Sequence, residues 1–207
     1  MSNSYNLPLA AAEVEFTEKK SRFISSIKPV SSEEEALDFL RTIREKHREA
    51  THNVFAYRIF SGGACRHSDD GEPSGTAGMP LLDVFLKRDI YDFCCVATRY
   101  FGGIKLGAGG LVRAYARCGS DAMDAAGTGL MREMALCTLD LPYPIYEQVK
   151  RLLVTNNIAV TSEDFGTLVT VNFSIIEEEL PNLDNKLREM SAGTIDARIM
   201  SRAMMAG

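Results

Sequence analysis

The segment Tyr91–Gly110 restricts the fold more than any other part of the chain. YDFCCVATRY is almost continuously apolar through its middle, the pattern of a strand covered on both faces. It therefore belongs inside a layered domain, and its end is expected to deliver Arg99 and Tyr100 to the surface. The strand runs directly into FGGIKLGAGG, and a helix is predicted from about Leu111 to Ala126, ended by Gly127 and Gly129. Glycines 102, 103, 107, 109 and 110 permit tight turns and close approach of another molecule to the backbone. The free amides and positive dipole end of the helix face this loop, and Lys105 and Arg113 add full charges. Those features suit a phosphate, a carboxylate or an RNA backbone. The alternative is that the glycines only permit close strand–helix packing. Neither nucleotide fingerprint fits: Lys105 precedes Gly107, which excludes the P-loop pattern, and Val112 stands where the dinucleotide pattern needs glycine.

The flanking segments supply the rest of the layers. Lys20–Val30 reads as a strand with Phe23, Ser25 and Ile27 on one side. Ser31 and Glu34 form an S-x-x-E capping box, and Leu37, Leu40, Ile43 and Arg44 follow at helical spacing to about His47. His52–Phe60 is a second strand. Residues 61–78 are dense in Gly, Ser, Asp and Pro and read as a loop, after which Pro80 opens a helix striped by Leu81, Val84 and Phe85. From Cys137 onward the order is strand, helix (Ile145, Val149, Leu152, Leu153), a hairpin turning near Phe165–Gly166, helix (Leu180, Leu183, Leu187, Met190), and a final strand alternating Ile195, Ala197 and Ile199. That is the ferredoxin-like β-α-β-β-α-β order. The fold class is α+β, with one domain over residues 1–132 and a second over 133–207.

Charge and cysteine usage narrow the function classes. The net charge is −5; divided at Ala135, the halves carry −1 and −4. Nucleic-acid binders concentrate positive charge, so any such surface here is local. Arg99 to Arg117 qualifies, with Arg99, Lys105, Arg113 and Arg117 and no acidic residue. The five cysteines (65, 94, 95, 118 and 137) are odd in number and lack C-x-x-C. Cys94 and Cys95 are strand neighbours pointing to opposite faces, so reduced, mostly packed thiols are expected. No apolar run approaches the roughly 20 residues of a membrane span, and the first residues lack a secretory pattern. A cytoplasmic location is expected, with no membrane partner.

A second polar segment, Ser68 to Pro80, places Asp69, Asp70 and Glu72 within four residues. The calcium-loop spacing is missing. The favoured reading is that these carboxylates pair with Arg58, Arg66, Arg99 or Arg113 and cap the helix at Pro80; a hard cation or a partner contact are the alternatives. Histidines 47, 52 and 67 share no metal-ligand spacing, and His67 is read as a solvated loop residue rather than a general base. No nucleophile motif occurs. No metal and no cofactor is expected, and a non-catalytic module is favoured over an enzyme.

The strings KSRFI (Lys20–Ile24), HNVFAYR (His52–Arg58), SDDGEPSGTAG (Ser68–Gly78) and RYFGGIKLGAGGLVRAY (Arg99–Tyr115) together resemble the IMPACT/YigZ family over nearly the whole chain. The resemblance implies a first domain of the β-α-β sandwich type shared with a small-subunit ribosomal protein, an elongation factor G domain and the GHMP small-molecule kinases. It also implies a second domain similar to another elongation factor G domain. Eukaryotic members modulate the amino-acid-starvation response of translation by competing for a protein partner, through an N-terminal domain that does not match here. Met79 stands where several relatives have lysine, and Ala108 where threonine is frequent. Together with the local charge of this segment, the resemblance favours a translation-regulating module that contacts RNA or the ribosome through Arg99, Tyr100, the five glycines, Lys105 and Arg113. His52, Asp69, Asp70, Glu72, Ser74 and Thr76 are further contacts from the motif loop, and a regulatory protein partner is possible. An enzyme or sensor for a small phosphorylated ligand, and a protein–protein adaptor using the acidic second domain, are the alternatives.

Overall fold

The computed structural model describes residues 4–206. The chain divides into two compact units, Tyr5–Leu130 and a second from Met131 onward. Among the described residues no helix is long and apolar enough to cross a membrane.

The first unit contains β1 (Tyr5–Pro8), β2 (Ala12–Glu18), β3 (Ser21–Pro29), α1 (Glu33–Lys46), β4 (His52–Arg58), β5 (Cys65–Ser68), α2 (Gly78–Lys87), β6 (Phe93–Tyr100) and α3 (Ala108–Ala126). Its main sheet is antiparallel in the order β2-β3-β6-β4-β5. β6 lies at the centre and seven of its eight residues are buried, because helices cover both faces. Phe93, Cys95 and Ala97 pack with Leu81 and Phe85 of α2 and Tyr115 and Cys118 of α3. Cys94 and Val96 face the other way, against Ala36, Leu40 and Ile43 of α1. The strand's period of two thus sends the adjacent cysteines into separate cores, and all five thiols are free.

Several local details differ from the sequence reading. The α1 cap is Ser32, whose Oγ accepts the Glu35 N–H, while the Glu35 carboxylate accepts the Ser31 N–H; the box is one residue later than expected. Ala36 replaces Leu37 on the buried face, and Leu37 is exposed. Residues 65–68 form the edge strand β5 inside what reads as a loop. The turn-forming residues around it mask a strand too short and too exposed to show alternation. α3 begins at Ala108, three residues earlier than predicted.

The second unit holds β7 (Thr128–Leu141, which starts in the first unit), α4 (Tyr143–Thr155), β8 (Ala159–Phe165), β9 (Val169–Ile176), α5 (Leu180–Ser191) and β10 (Arg198–Ala206). These strands form an antiparallel sheet ordered β10-β7-β9-β8, the order of a ferredoxin-like unit. Val169, Val171, Phe173 and Ile175 on one face of β9 pack against Val149 and Leu153 of α4 and Leu183 and Leu187 of α5. α5 closes on Ala192 in the left-handed conformation. Ile195 is buried in this core, yet the final strand starts only at Arg198, since Ser191 Oγ and Asp184 Oδ1 take the backbone donors of Ile195 and Ala197.

Gly102 is the most crowded of the loop glycines and tolerates no side chain. A Cβ there would sit 1.9 Å from the Lys20 carbonyl oxygen and 2.6 Å from the Ser21 nitrogen. By contrast, a Cβ at Gly109 would meet only the Arg113 guanidinium, at 3.6 Å. Gly102→Ala is therefore expected to cost about 1–3 kcal/mol by overpacking. Gly109→Ala should be neutral or slightly stabilising, since alanine favours the helix. Urea denaturation of the two variants checks the contrast.

Candidate functional site

The four strings on which the family resemblance rests lie far apart in sequence, yet the sheet brings them to one end of the first unit. β3 and β4 begin there and β6 ends there, with Phe23 paired to Arg99 and Arg99 to His52 across the sheet. The 68–78 loop closes over these strand ends, and the glycine loop leads from them into α3.

At the centre is a buried ion pair. Glu72 Oε1 accepts from Arg99 Nη1 at 2.6 Å and from the Tyr115 hydroxyl at 2.8 Å. Arg99 Nη2 donates to Ser21 Oγ, which also accepts the Gly102 N–H. The Arg99 guanidinium lies 5.5 Å from the Phe23 ring centre and 5.4 Å from that of Phe101. Burial and the adjacent Glu72 charge push the Tyr115 phenol well above its ordinary pKa, so it stays a hydrogen-bond donor. The expectation that Arg99 reaches the surface is thus corrected: it is 5% exposed, because the last alternation of β6 points it inward and Glu72 meets it there.

The neighbouring carboxylates are committed in the same way. Asp69 Oδ1 accepts the N–H groups of Gly78 (2.7 Å) and Ala77 (3.1 Å), and Oδ2 that of Gly75 (2.8 Å). It caps α2 from nine residues upstream, where Ala77 has no side-chain oxygen to do so. Asp70, at φ +46°, accepts the Asn53 N–H at 2.6 Å and pairs with Arg44 at 3.0 Å. Arg44 is a partner that the sequence reading missed; Arg58 and Arg66 pair instead with Asp89 and Glu33. The Asp70 carbonyl lies 2.8 Å from His52 Nδ1. A carbonyl only accepts, so Nδ1 carries the proton and Nε2 faces Glu72 at 3.8 Å. Thr76 turns back on the Pro73 carbonyl, while Ser74 is exposed. Tyr100 is half-buried with its hydroxyl on His47. Among the described residues no group of three His, Cys, Asp or Glu side chains converges as a metal site would.

What this packing leaves outside is basic. Lys105, Arg113 and Arg117 are exposed. Lys19 and Lys20, both at positive φ, form the β2–β3 turn whose backbone touches Gly102. Arg117 is held by Asp121 at 3.0 Å and lies over the Phe16 ring at 4.1 Å. Among the described residues Lys19, Lys20, Lys105 and Arg113 form no salt bridge. Lys19, Arg113 and Arg117, with Phe16, Leu106 and Gly110, line a hollow of about 130 Å³ that also carries Glu18. Gly110 belongs to the first turn of α3, whose N-cap, Gly107, provides no side-chain acceptor. The adjacent pair Lys19–Lys20 was legible in the sequence; its meeting with residues 102–113 was not.

Two outcomes follow for stability. Arg99→Met leaves the Glu72 charge buried without its partner and is expected to cost about 3–5 kcal/mol. An Arg99→Met/Glu72→Leu double variant should recover a large part of that in a double-mutant cycle of urea denaturation. Burial raises the Asp69 carboxyl, but the three backbone donors outweigh it and hold it below the usual carboxylate range. A carboxyl depressed by folding contributes stability above its unfolded pKa of about 4, and that stability is lost as pH falls through the lower folded value. The melting-temperature gap between the wild type and Asp69→Asn should accordingly narrow from pH 5 towards pH 2.

Comparison with known proteins places this arrangement. Residues 19–123 match the model of the Impact N-terminal domain, and residues 139–194 that of a domain of unknown function, DUF1949. The IMPACT family member YvyE of Bacillus subtilis is 36% identical over 96% of this chain and 92% of its own length. YigZ of Escherichia coli is 29% identical over 93% and 96%. A crystal structure of a hypothetical protein is 28% identical and superposes with a TM-score of 0.61, over 97% of this chain and 98% of that one. The Glu72–Arg99 core and the glycine loop both fall within the first matched region, and the chain belongs to the IMPACT family.

Proposed function

We propose that this protein is a non-catalytic regulatory module acting on translation, which binds RNA backbone, on or off the ribosome, through the face formed by Lys19, Lys20, the glycine loop, Lys105 and Arg113. The observation that carries the reading is the sorting of charge at this end of the first unit. Arg99 and the three motif carboxylates are used internally, whereas four cations flanking the glycine loop have no carboxylate partner. Unpaired cations beside the unmasked amides at a helix start suit phosphate oxygens. Exposed Phe101 and Ile104 lie within the same loop and offer apolar contact for a base or sugar.

The hollow's size favours a backbone phosphate over a whole nucleotide. About 130 Å³ is well below the roughly 300–1,000 Å³ of small-molecule sites. The chain's net charge of −5 opposes nucleic acid at long range, so affinity must come from the patch itself and be sensitive to salt.

Co-sedimentation with ribosomes and total RNA at two salt concentrations tests this. If about four phosphates are contacted, raising salt from 50 to 200 mM weakens binding on the order of a hundred-fold. Lys105→Glu/Arg113→Glu should abolish it while leaving the melting temperature unchanged, since neither side chain is buried or paired. Binding that is indifferent to salt and to this charge reversal would sink the proposal.

A further inference from the structure

The second unit carries a site that the basic face does not involve. Two hollows, of about 290 and 430 Å³, share a rim at Ile158, Ile175 and Glu179, where the end of β9 meets the starts of β8 and α5. Asn156, Asn182 and Lys186 give the smaller one a polar wall. Met134, Ile176 and Met205 make the larger one mainly apolar, and Arg132, Asn157 and Ser174 line it as well.

The polar wall is held in place. Asn156 follows the last turn of α4, and its Nδ2 donates to the Leu152 carbonyl at 2.7 Å. That bond orients the amide so that Oδ1 accepts from Lys186 Nζ at 2.9 Å. One of the three ammonium donors is thereby used and two are free. Among the described residues Lys186 forms no salt bridge and neither does Glu179. One hollow thus presents a cation and an anion that do not neutralise each other, beside an apolar chamber.

A ligand with a single charge satisfies only half of such a wall, and an uncharged one leaves both charges to water. A molecule with both charges on one end and an apolar body on the other satisfies all of it. We propose that this double hollow binds an α-amino acid with an apolar side chain. Its carboxylate takes the free donors of Lys186, its ammonium faces the Glu179 carboxylate, and its side chain lies against Ile158, Ile175 and Met134. The two volumes together fall within the range of small-molecule sites, roughly 300–1,000 Å³.

Isothermal titration of the full chain with L-leucine, L-methionine and L-phenylalanine tests the site. Two controls are leucine's single-charge analogues, 4-methylpentanoate and 3-methylbutylamine. The expected result is saturable binding of at least one of the three amino acids, with neither analogue binding. Glu179→Gln and Lys186→Met should each weaken the affinity at least tenfold. Glu179 is exposed, so Glu179→Gln carries the test alone should Lys186→Met fail to fold. No binding of any of the three, unchanged affinity in Glu179→Gln, or an analogue binding as tightly as leucine overturns the proposal. Either result is independent of salt-sensitive RNA binding by the first unit.

Discussion

The first unit depends on one buried ion pair, Glu72 with Arg99. Two charges removed from water cost several kcal/mol each unless geometry and further hydrogen bonds offset the loss. Here Tyr115 and Ser21 supply those bonds, and each comes from a different element. The pair therefore ties the motif loop to the central strand, to α3 and to the start of β3. Asp69 and Asp70 extend the same tie outward, to the start of α2 and to Arg44 on α1. The loop consequently keeps a defined course at the sheet's end although it is rich in residues that favour turns.

That commitment decides what the surface can do. With Arg99 turned inward, the stretch from Arg99 to Arg117 loses one of its four cations to the interior and another, Arg117, to Asp121. The face recovers its charge from the turn at Lys19 and Lys20, which the sheet carries alongside. Those two residues stand at φ values of +45° and +64°, a conformation that costs a residue with a side chain roughly 1 kcal/mol or more. The tight turn brings the Lys20 carbonyl onto Gly102, so the lysine turn and the glycine loop can adjoin only while residue 102 lacks a Cβ.

The layers were legible in the sequence because periodicity reports burial directly. The central strand read as covered on both faces, and the helical and alternating stripes of the second unit fell where Leu183, Leu187, Val171 and Phe173 now pack. The site was only half legible. The sequence offered Arg99 both as one of four possible partners of the motif carboxylates and as a member of a basic patch, and the pairing with Glu72, 27 positions away, is the one that forms; composition could not choose, because it reports that a charge exists and not what meets it. The same blindness hid Arg44 as the partner of Asp70. Phase carried the missing information: Ala97 faces the interior, so Arg99, two residues on, points the same way, and a buried arginine needs an acid.

Three glycines of the loop differ in why they are needed, and the distinction bears on what this face exposes. Gly102 is required by crowding from within the molecule. Gly103 and Gly107 are not: a Cβ on either would meet nothing within 4 Å, yet both sit at positive φ, +83° and +76°. Their backbone course, not their neighbours, demands glycine. The loop therefore exposes bare backbone on both sides of Lys105 and directly before the first turn of α3. Packing needs no such opening there, since the space over these residues is empty. The polyanion proposed above would use one, because its phosphate oxygens would have to come within hydrogen-bond distance of main-chain amides that side chains would otherwise cover.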